Sequence, residues 1–165
     1  MPDLMSHVLI ALIIGELFNV RKKSLIVIGA IAPDVISKLD LLYFHFGIPK
    51  VISFSSFHTP FMCFLLSLLI SAFFVYPKLK TVILFNIGAL SEFSSDFFVK
   101  HFSTAGQRIF YPLSLHNYAY GLFWSDDSIY ILIGLLLLYS CIKFIKRNRK
   151  KEIKYRKNQK GRKTK

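Results

Sequence analysis

The sequence predicts an all-α fold, an integral membrane helical bundle of about five apolar segments, one of them a half-span, followed by a basic C-terminal tail. Three observations carry this expectation. Hydrophobic residues make up 53% of the 165 positions and aromatics 16%, with mean hydropathy +0.46, too apolar for an ordinary water-soluble domain. The apolar residues fall into runs separated by short basic clusters, as membrane segments and their flanks do. The formal charge of +13 is local, because residues 143–165 hold 13 of the 22 Lys and Arg against one acid, Glu152. Residues 1–142 hold nine bases against eight acids, so the chain divides into a membrane-embedded domain, 1–142, and a basic cytoplasmic tail, 143–165.

Residues 4–20 form the first run, closed by Arg21, Lys22 and Lys23. Its start, Met1-Pro2-Asp3, lacks the basic region of a signal peptide, so the run reads as an uncleaved anchor. Residues 24–32 form a second run that Pro33-Asp34 stops. At ~1.5 Å per residue it covers about half of a ~30 Å hydrocarbon core, and it either crosses as a short tilted helix or re-enters. After an aromatic and Lys-bearing stretch, 35–57, His58-Thr59-Pro60 marks a helix start, with Pro suited to the first turn. The apolar run 61–76 follows, then the tight basic turn Pro77-Lys78-Leu79-Lys80 and the span 81–99, interrupted by Glu92 and Asp96. Residues 100–127 are a long aromatic and polar loop, and 128–142 is the last apolar segment. Cys63 and Cys141 lie inside apolar runs with no pairing pattern and read as packing residues.

Short cytoplasmic loops carry an excess of Lys and Arg. Five crossings with the N-terminus outside place 18 bases inside, against Lys38, Lys50, Lys100 and Arg108 outside. The expectation is a multi-pass protein of the cell membrane whose C-terminal tail is cytoplasmic.

Ionisable groups in apolar segments mark functional paths, because an unpaired charge at membrane depth is costly. His7, Asp34, His58, Glu92 and Asp96 are such groups, and all five can ligate a metal. Measured by helical rise from the nearest basic turn, His7, Asp34, Glu92 and Asp96 stand at roughly 21, 17, 18 and 24 Å, and His58 at roughly 30 Å. Separate segments therefore deliver polar groups to one outer layer. Glu92 and Asp96 are spaced i, i+4, which puts both carboxylates on one helix face, and no Lys or Arg lies between Thr81 and Val99 to pair them. Mixed imidazole and carboxylate donors suit zinc, manganese or iron, and the lack of ligand cysteines argues against a structural zinc site. Taken singly, His7 or His58 reads as an interfacial residue, and Asp34 equally as a turn residue or cap.

The opening Met1-Pro2-Asp3-Leu4-Met5-Ser6-His7, the stretch Gly29-Ala30-Ile31-Ala32-Pro33-Asp34, His58-Thr59-Pro60, Gly88-Ala89-Leu90-Ser91-Glu92 with Asp96, and Gly106 leading to Tyr111-Pro112-Leu113-Ser114 resemble the YdjM-type family of membrane-bound, metal-dependent hydrolases, over residues 1–114. That family is similar in ligand order to the zinc-dependent phospholipase C and single-strand nuclease superfamily of helical phosphoesterases. The resemblance implies that Asp34, His58, Glu92 and Asp96 surround one metal, with His7 and Asp96 reaching a second. Position 92 is Glu where the family pattern usually has His, and position 36 is Ile where many relatives carry an acid. Glu ligates zinc at a bond length close to that of His.

The expected activity is hydrolysis of a phosphoester, or another ester, of an amphiphilic substrate by metal-activated water, with Asp34 or Glu92 as general base. The alternatives are a membrane scaffold or regulator with a structural or degenerate metal site, and an ion or proton carrier. Arg108 is placed to hold a substrate phosphate by a fork contact, and Tyr111, Tyr118, Tyr120 and Trp124 to sit at head-group level. His101 and His116 read as loop polar groups, and Asp126-Asp127 as a cap for the last helix. The polybasic tail suits anionic lipid head groups; without aromatic interleaving or a folded module it does not suit nucleic acid.

Overall fold

Helices carry the architecture of the computed structural model, which describes residues 4–47, 54–100, 108–118, 120–124 and 127–163. They are α1 (Leu4–Leu17), α2 (Lys23–Ser37), α3 (Asp40–Phe46), α4 (Pro60–Phe73), α5 (Lys78–Phe97) and α6 (Ser128–Lys163), with a one-turn 3-10 helix at Phe54–Phe57 ahead of α4. The only sheet among the described residues is a parallel pairing of two-residue strands, β1 (Val99–Lys100) with β2 (Phe123–Trp124). The all-α expectation holds.

Local chemistry sets the helix ends. Thr59 is extended, at φ −139° and ψ 147°, and its hydroxyl accepts the Met62 N–H at 3.4 Å, while Pro60 occupies the first turn, where no intrahelical donor is needed. At the other end of α4, the Lys78 ammonium donates to the Ser71 and Ala72 carbonyls at 3.0 and 3.2 Å, covering groups the helix leaves unpaired. One expectation is corrected. Pro33 does not stop the second segment: α2 runs through it for 15 residues, to Ser37, with Pro33 buried. An interior proline costs roughly 3 kcal/mol, and tertiary packing on both sides of it overrides that local preference. The last helix extends beyond its apolar run, unbroken past Lys143 to Lys163. Of the two cysteines, Cys63 is buried, while Cys141 is exposed.

The central pair is α2 and α5, flanked by α1 against α2 and α4 against α5, with α6 against α1. The crossing is made backbone to backbone. A Cβ on Gly29 would lie 2.1 Å from the Phe85 carbonyl oxygen, and one on Gly88 would lie 2.0 Å from the Ile26 carbonyl oxygen. Only glycine fits at either position. Beside the crossing, Ala11, Ile26 and Ala30 form one small core and Cys63, Ala89 and Phe93 another. The short turns at 18–22 and 74–77 reverse the chain. α2 and α5 thus run to one end of the bundle, where α1 and α4 begin, and the basic turns lie at the other.

Polarity is inverted relative to a water-soluble bundle. On α4, Ser67 and Ser71 are buried while Phe64, Leu65, Leu68 and Leu69 are exposed. On α5, Thr81, Glu92 and Asp96 face inward and Leu79, Ile83, Ile87 and Leu90 outward. Asn86 bridges the two helices, donating to the Ser67 hydroxyl at 2.8 Å. One helix among the described residues is long and apolar enough to cross a membrane, the Ser128–Glu152 part of α6; α1 and α4 are apolar but only 14 residues long.

The crossing gives a direct test. Gly88→Ala should destabilise the protein by about 3 kcal/mol, since only backbone can yield, whereas Gly134→Ala, with nothing within 4 Å, should be neutral or stabilise by up to ~1 kcal/mol. Denaturant unfolding of both purified variants measures this, and equal effects would show that the α2–α5 contact is not tight.

Candidate metal centre

Four elements deliver the site. His7 sits in the second turn of α1, Asp34 in the last turn of α2, His58 just before the Thr59 cap of α4, and Glu92 and Asp96 in the last turns of α5. Gly29 and Gly88 bring α2 and α5 into contact about one turn before Asp34 and Glu92, so the carboxylates meet before the helices diverge. Ligand atoms of Asp34, His58, Glu92 and Asp96 all lie within 4.8 Å of one another, and the group can hold a metal ion. His7 joins it through Asp96, its Nε2 being 3.3 Å from Asp96 Oδ1. Four of the five expected residues thus form one group, and the fifth, His7, stands against it.

The distances fit donors around a shared cation. His58 Nδ1 is 3.4 Å from Glu92 Oε1, and its Nε2 is 3.3 Å from Asp96 Oδ2. Charge-assisted N–H···O bonds close to about 2.7–2.9 Å, whereas donors around one metal with bonds near 2 Å stand about 3–4 Å apart. The satisfaction of the donors agrees. Both oxygens of Asp34, both of Glu92, Asp96 Oδ1, His7 Nε2 and His58 Nδ1 are buried without a hydrogen-bond partner. Buried polar atoms are almost always partnered, so a group of unpartnered donors this close together fits a cation as their common partner.

Neighbours orient the donors. The Ser95 hydroxyl lies 2.9 Å from His7 Nδ1, leaving Nε2 toward Asp96, and it also donates to the Glu92 carbonyl at 2.8 Å. The Phe93 ring meets His58 edge-on, with centroids 5.3 Å apart. Lys38, one turn after Asp34, places its ammonium 3.8 Å from Asp34 Oδ2. Neither Lys38 nor Ser95 belongs to the expected donor set, yet the sequence carries a signal for each: the i, i+4 spacing of Asp34 and Lys38, and the adjacency of Ser95 to Asp96.

Arg108 is not in the cluster. It is exposed, and its Nε donates to Asn117 Oδ1 at 3.3 Å within its own loop. That loop docks on the C-terminal end of α5, where the Leu122 N–H donates to the Phe98 carbonyl at 2.6 Å and Tyr120 stacks on Phe97 with centroids 6.2 Å apart. His116 is exposed against Tyr118. Asp127 immediately precedes α6, while Met1-Pro2-Asp3, Lys50, His101, Gly106 and Asp126 lie outside the described residues.

No family model, curated protein or solved structure matches the chain. What the cluster can do follows from its donors.

The purified protein should carry a divalent transition metal by elemental analysis. Ser95→Ala should weaken its binding by roughly 10–100-fold through loss of the His7 anchor, and Glu92→Gln by more. Competition with a chromogenic chelator reads both; unaltered affinity in the two variants would place any metal elsewhere.

Proposed function

We propose that the chain is a multi-pass membrane hydrolase that uses a divalent metal at Asp34, His58, Glu92 and Asp96, with His7 beside it, to cleave a phosphoester or other ester of an amphiphilic substrate. The observation that carries this reading is the set of unpartnered buried donors from separate helices. The resemblance to the YdjM-type hydrolases points the same way.

The inverted polarity supports the membrane setting, because in water the exposed faces of α4 and α5 would be costly, while in hydrocarbon the buried serines and carboxylates belong inside. The distribution of bases supports an arrangement with the N-terminus outside, the start of the basic stretch of α6 in the cytoplasm and the metal centre in the outer layer. A substrate with its head group at the metal and its tails in lipid suits that depth. An apolar groove of about 280 Å³, lined by Pro60, Leu90, Phe93, Phe97 and Ile109, shares the Phe93 ring with the cluster and suits a hydrocarbon chain.

Zinc fits the donor set best, with manganese and iron as alternatives. When bound, such a cation supplies Lewis acidity that makes water a competent nucleophile near neutral pH. Glu92, 0% exposed and with both oxygens unpartnered, is assigned with His58 and Asp96 to holding it. Asp34, in the same cluster, is assigned as general base, because the Lys38 ammonium, 46% exposed and 3.8 Å from Asp34 Oδ2, favours the ionised carboxylate that the role requires. Phe93 closes one side of the site against water. Arg108 and the loop tyrosines lie at the level where a substrate phosphate would enter.

A structural clamp is the second reading, favoured by the drawing of ligands from α1, α2, α5 and the start of α4. Asp34→Asn and Glu92→Gln separate the two. Asp34→Asn should keep fold and metal yet lose turnover of a lipid phosphate by about 10²–10⁴-fold, and Glu92→Gln should lose metal and turnover together. Metal-loaded wild-type protein that cleaves no phospholipid, lipid phosphate or phosphodiester, and unfolds on metal removal, would establish the clamp and end the hydrolase reading.

A further inference from the structure

The bundle end opposite the metal centre holds a cleft of about 1130 Å³ between the turn joining α1 to α2 and the start of the basic stretch of α6. One wall carries Arg21 and Lys23, and the other carries five bases between positions 143 and 150. Glu16 is the only acid in the lining, and it is already engaged. Its carboxylate pairs with Lys23 and stands 3.6 Å from Lys146, whose ammonium also donates to the Glu16 carbonyl and to Asn19 Oδ1. Lys143 lies over the Tyr139 ring at 5.2 Å. Arg21, Arg147, Arg149 and Lys150 have no ion-pair partner among the described residues. Glu16 thus pins the two walls together, and the remaining cations line one cavity with no second acid among its described lining residues.

A dispersed basic face would separate these charges in water. Here the fold sets exposed cations from two walls around one cavity, so an anion of matching multiplicity between the walls would gain from all of them. Val20 and Phe144 add apolar surface to the same lining, and the cleft opens where α6 passes from Ile142 to Lys143, from apolar to basic sequence. On the membrane reading given above, on which this step rests, that is head-group depth.

We infer that the cleft binds a phosphate-bearing lipid head group of more than one negative charge, held by Arg21 from one wall and by Arg147 and Lys150 from the other. The test is fluorescence anisotropy of a short-chain fluorescent phosphatidate, as its non-hydrolysable phosphonate, titrated with the full-length protein in neutral detergent micelles. Arg21→Gln with Arg147→Gln should weaken binding by about tenfold or more, the loss expected for charged hydrogen bonds. Lys80→Gln with Lys151→Gln removes equal charge outside the cleft and should leave affinity nearly unchanged. Equal weakening by both pairs would reduce the cleft to diffuse attraction and overturn the proposal, as would an unaffected affinity in both, which would put the lipid at the metal centre. Inorganic pyrophosphate competing as well as unlabelled lipid phosphonate would overturn the lipid source. Failure of the membrane reading would show separately, as protein that stays dispersed without detergent.

Discussion

The contact on which the rest of the molecule depends is the one between the backbones of α2 and α5 at Gly29 and Gly88. Helices normally pack with side chains interposed at 8–10 Å between axes; removing both Cβ atoms lets the chains approach more closely. That closeness has a functional consequence. Asp34 and Glu92 lie about one turn beyond the contact, so their carboxylates reach a common point while the helix axes are still near each other. With larger residues at positions 29 or 88 the two acids would be held further apart, and His58 and Asp96 would have no centre to converge on.

Three carboxylates are buried around that centre against two imidazoles and one lysine. In a low-dielectric interior like charges this close repel strongly, and pairing with His does not cancel them unless the rings are protonated. The N···O separations of 3.3 and 3.4 Å exceed those of tight charged hydrogen bonds and match donors spread around a shared ion. Ser95 and Lys38 complete the arrangement by fixing one imidazole and joining one carboxylate to the surface. On α5 the buried Glu92 and Asp96 point to the site, while Ile87 and Leu90 of the same helix face outward.

The convergence was legible because helical rise is fixed by geometry: counting from a basic turn gives the level of His7, Asp34, Glu92 and Asp96 without any knowledge of packing. The count placed His58 too far out, since the path from Lys78 to His58 leaves the helix at both ends of α4, at Phe74–Pro77 and at the Thr59 cap, where the rise rule fails. Direction around each helix axis was legible only within one helix, for Glu92 and Asp96. Which faces of different helices meet is decided by close approach, and Gly29 and Gly88 signal that only once the helices are known to be neighbours. Pro33 misled for a related reason: a local rule predicts a stop, and contacts remote in sequence carry the helix through. The continuation of α6 past Lys143 was hidden by hydropathy, which changes there although the good helix formers Lys, Arg and Glu continue.

α1 ties the two ends of the molecule together. Near its start His7 meets Asp96 and Ser95, and at its end Glu16 meets Lys23 and Lys146. One helix about 21 Å long therefore touches both the acidic centre and the basic cleft, each through a buried or half-buried polar residue. The spacing between the two sites is thus set by helical rise along a single element rather than by the sum of several loops. α6 packs chiefly on α1, so the cleft takes its position from the same strut that carries His7. An α1 displaced along its axis by one residue would move Glu16 off Lys23 and His7 off Asp96 together. The bundle therefore has one register in which both polar ends are satisfied, and that shared condition selects the register without a large apolar core.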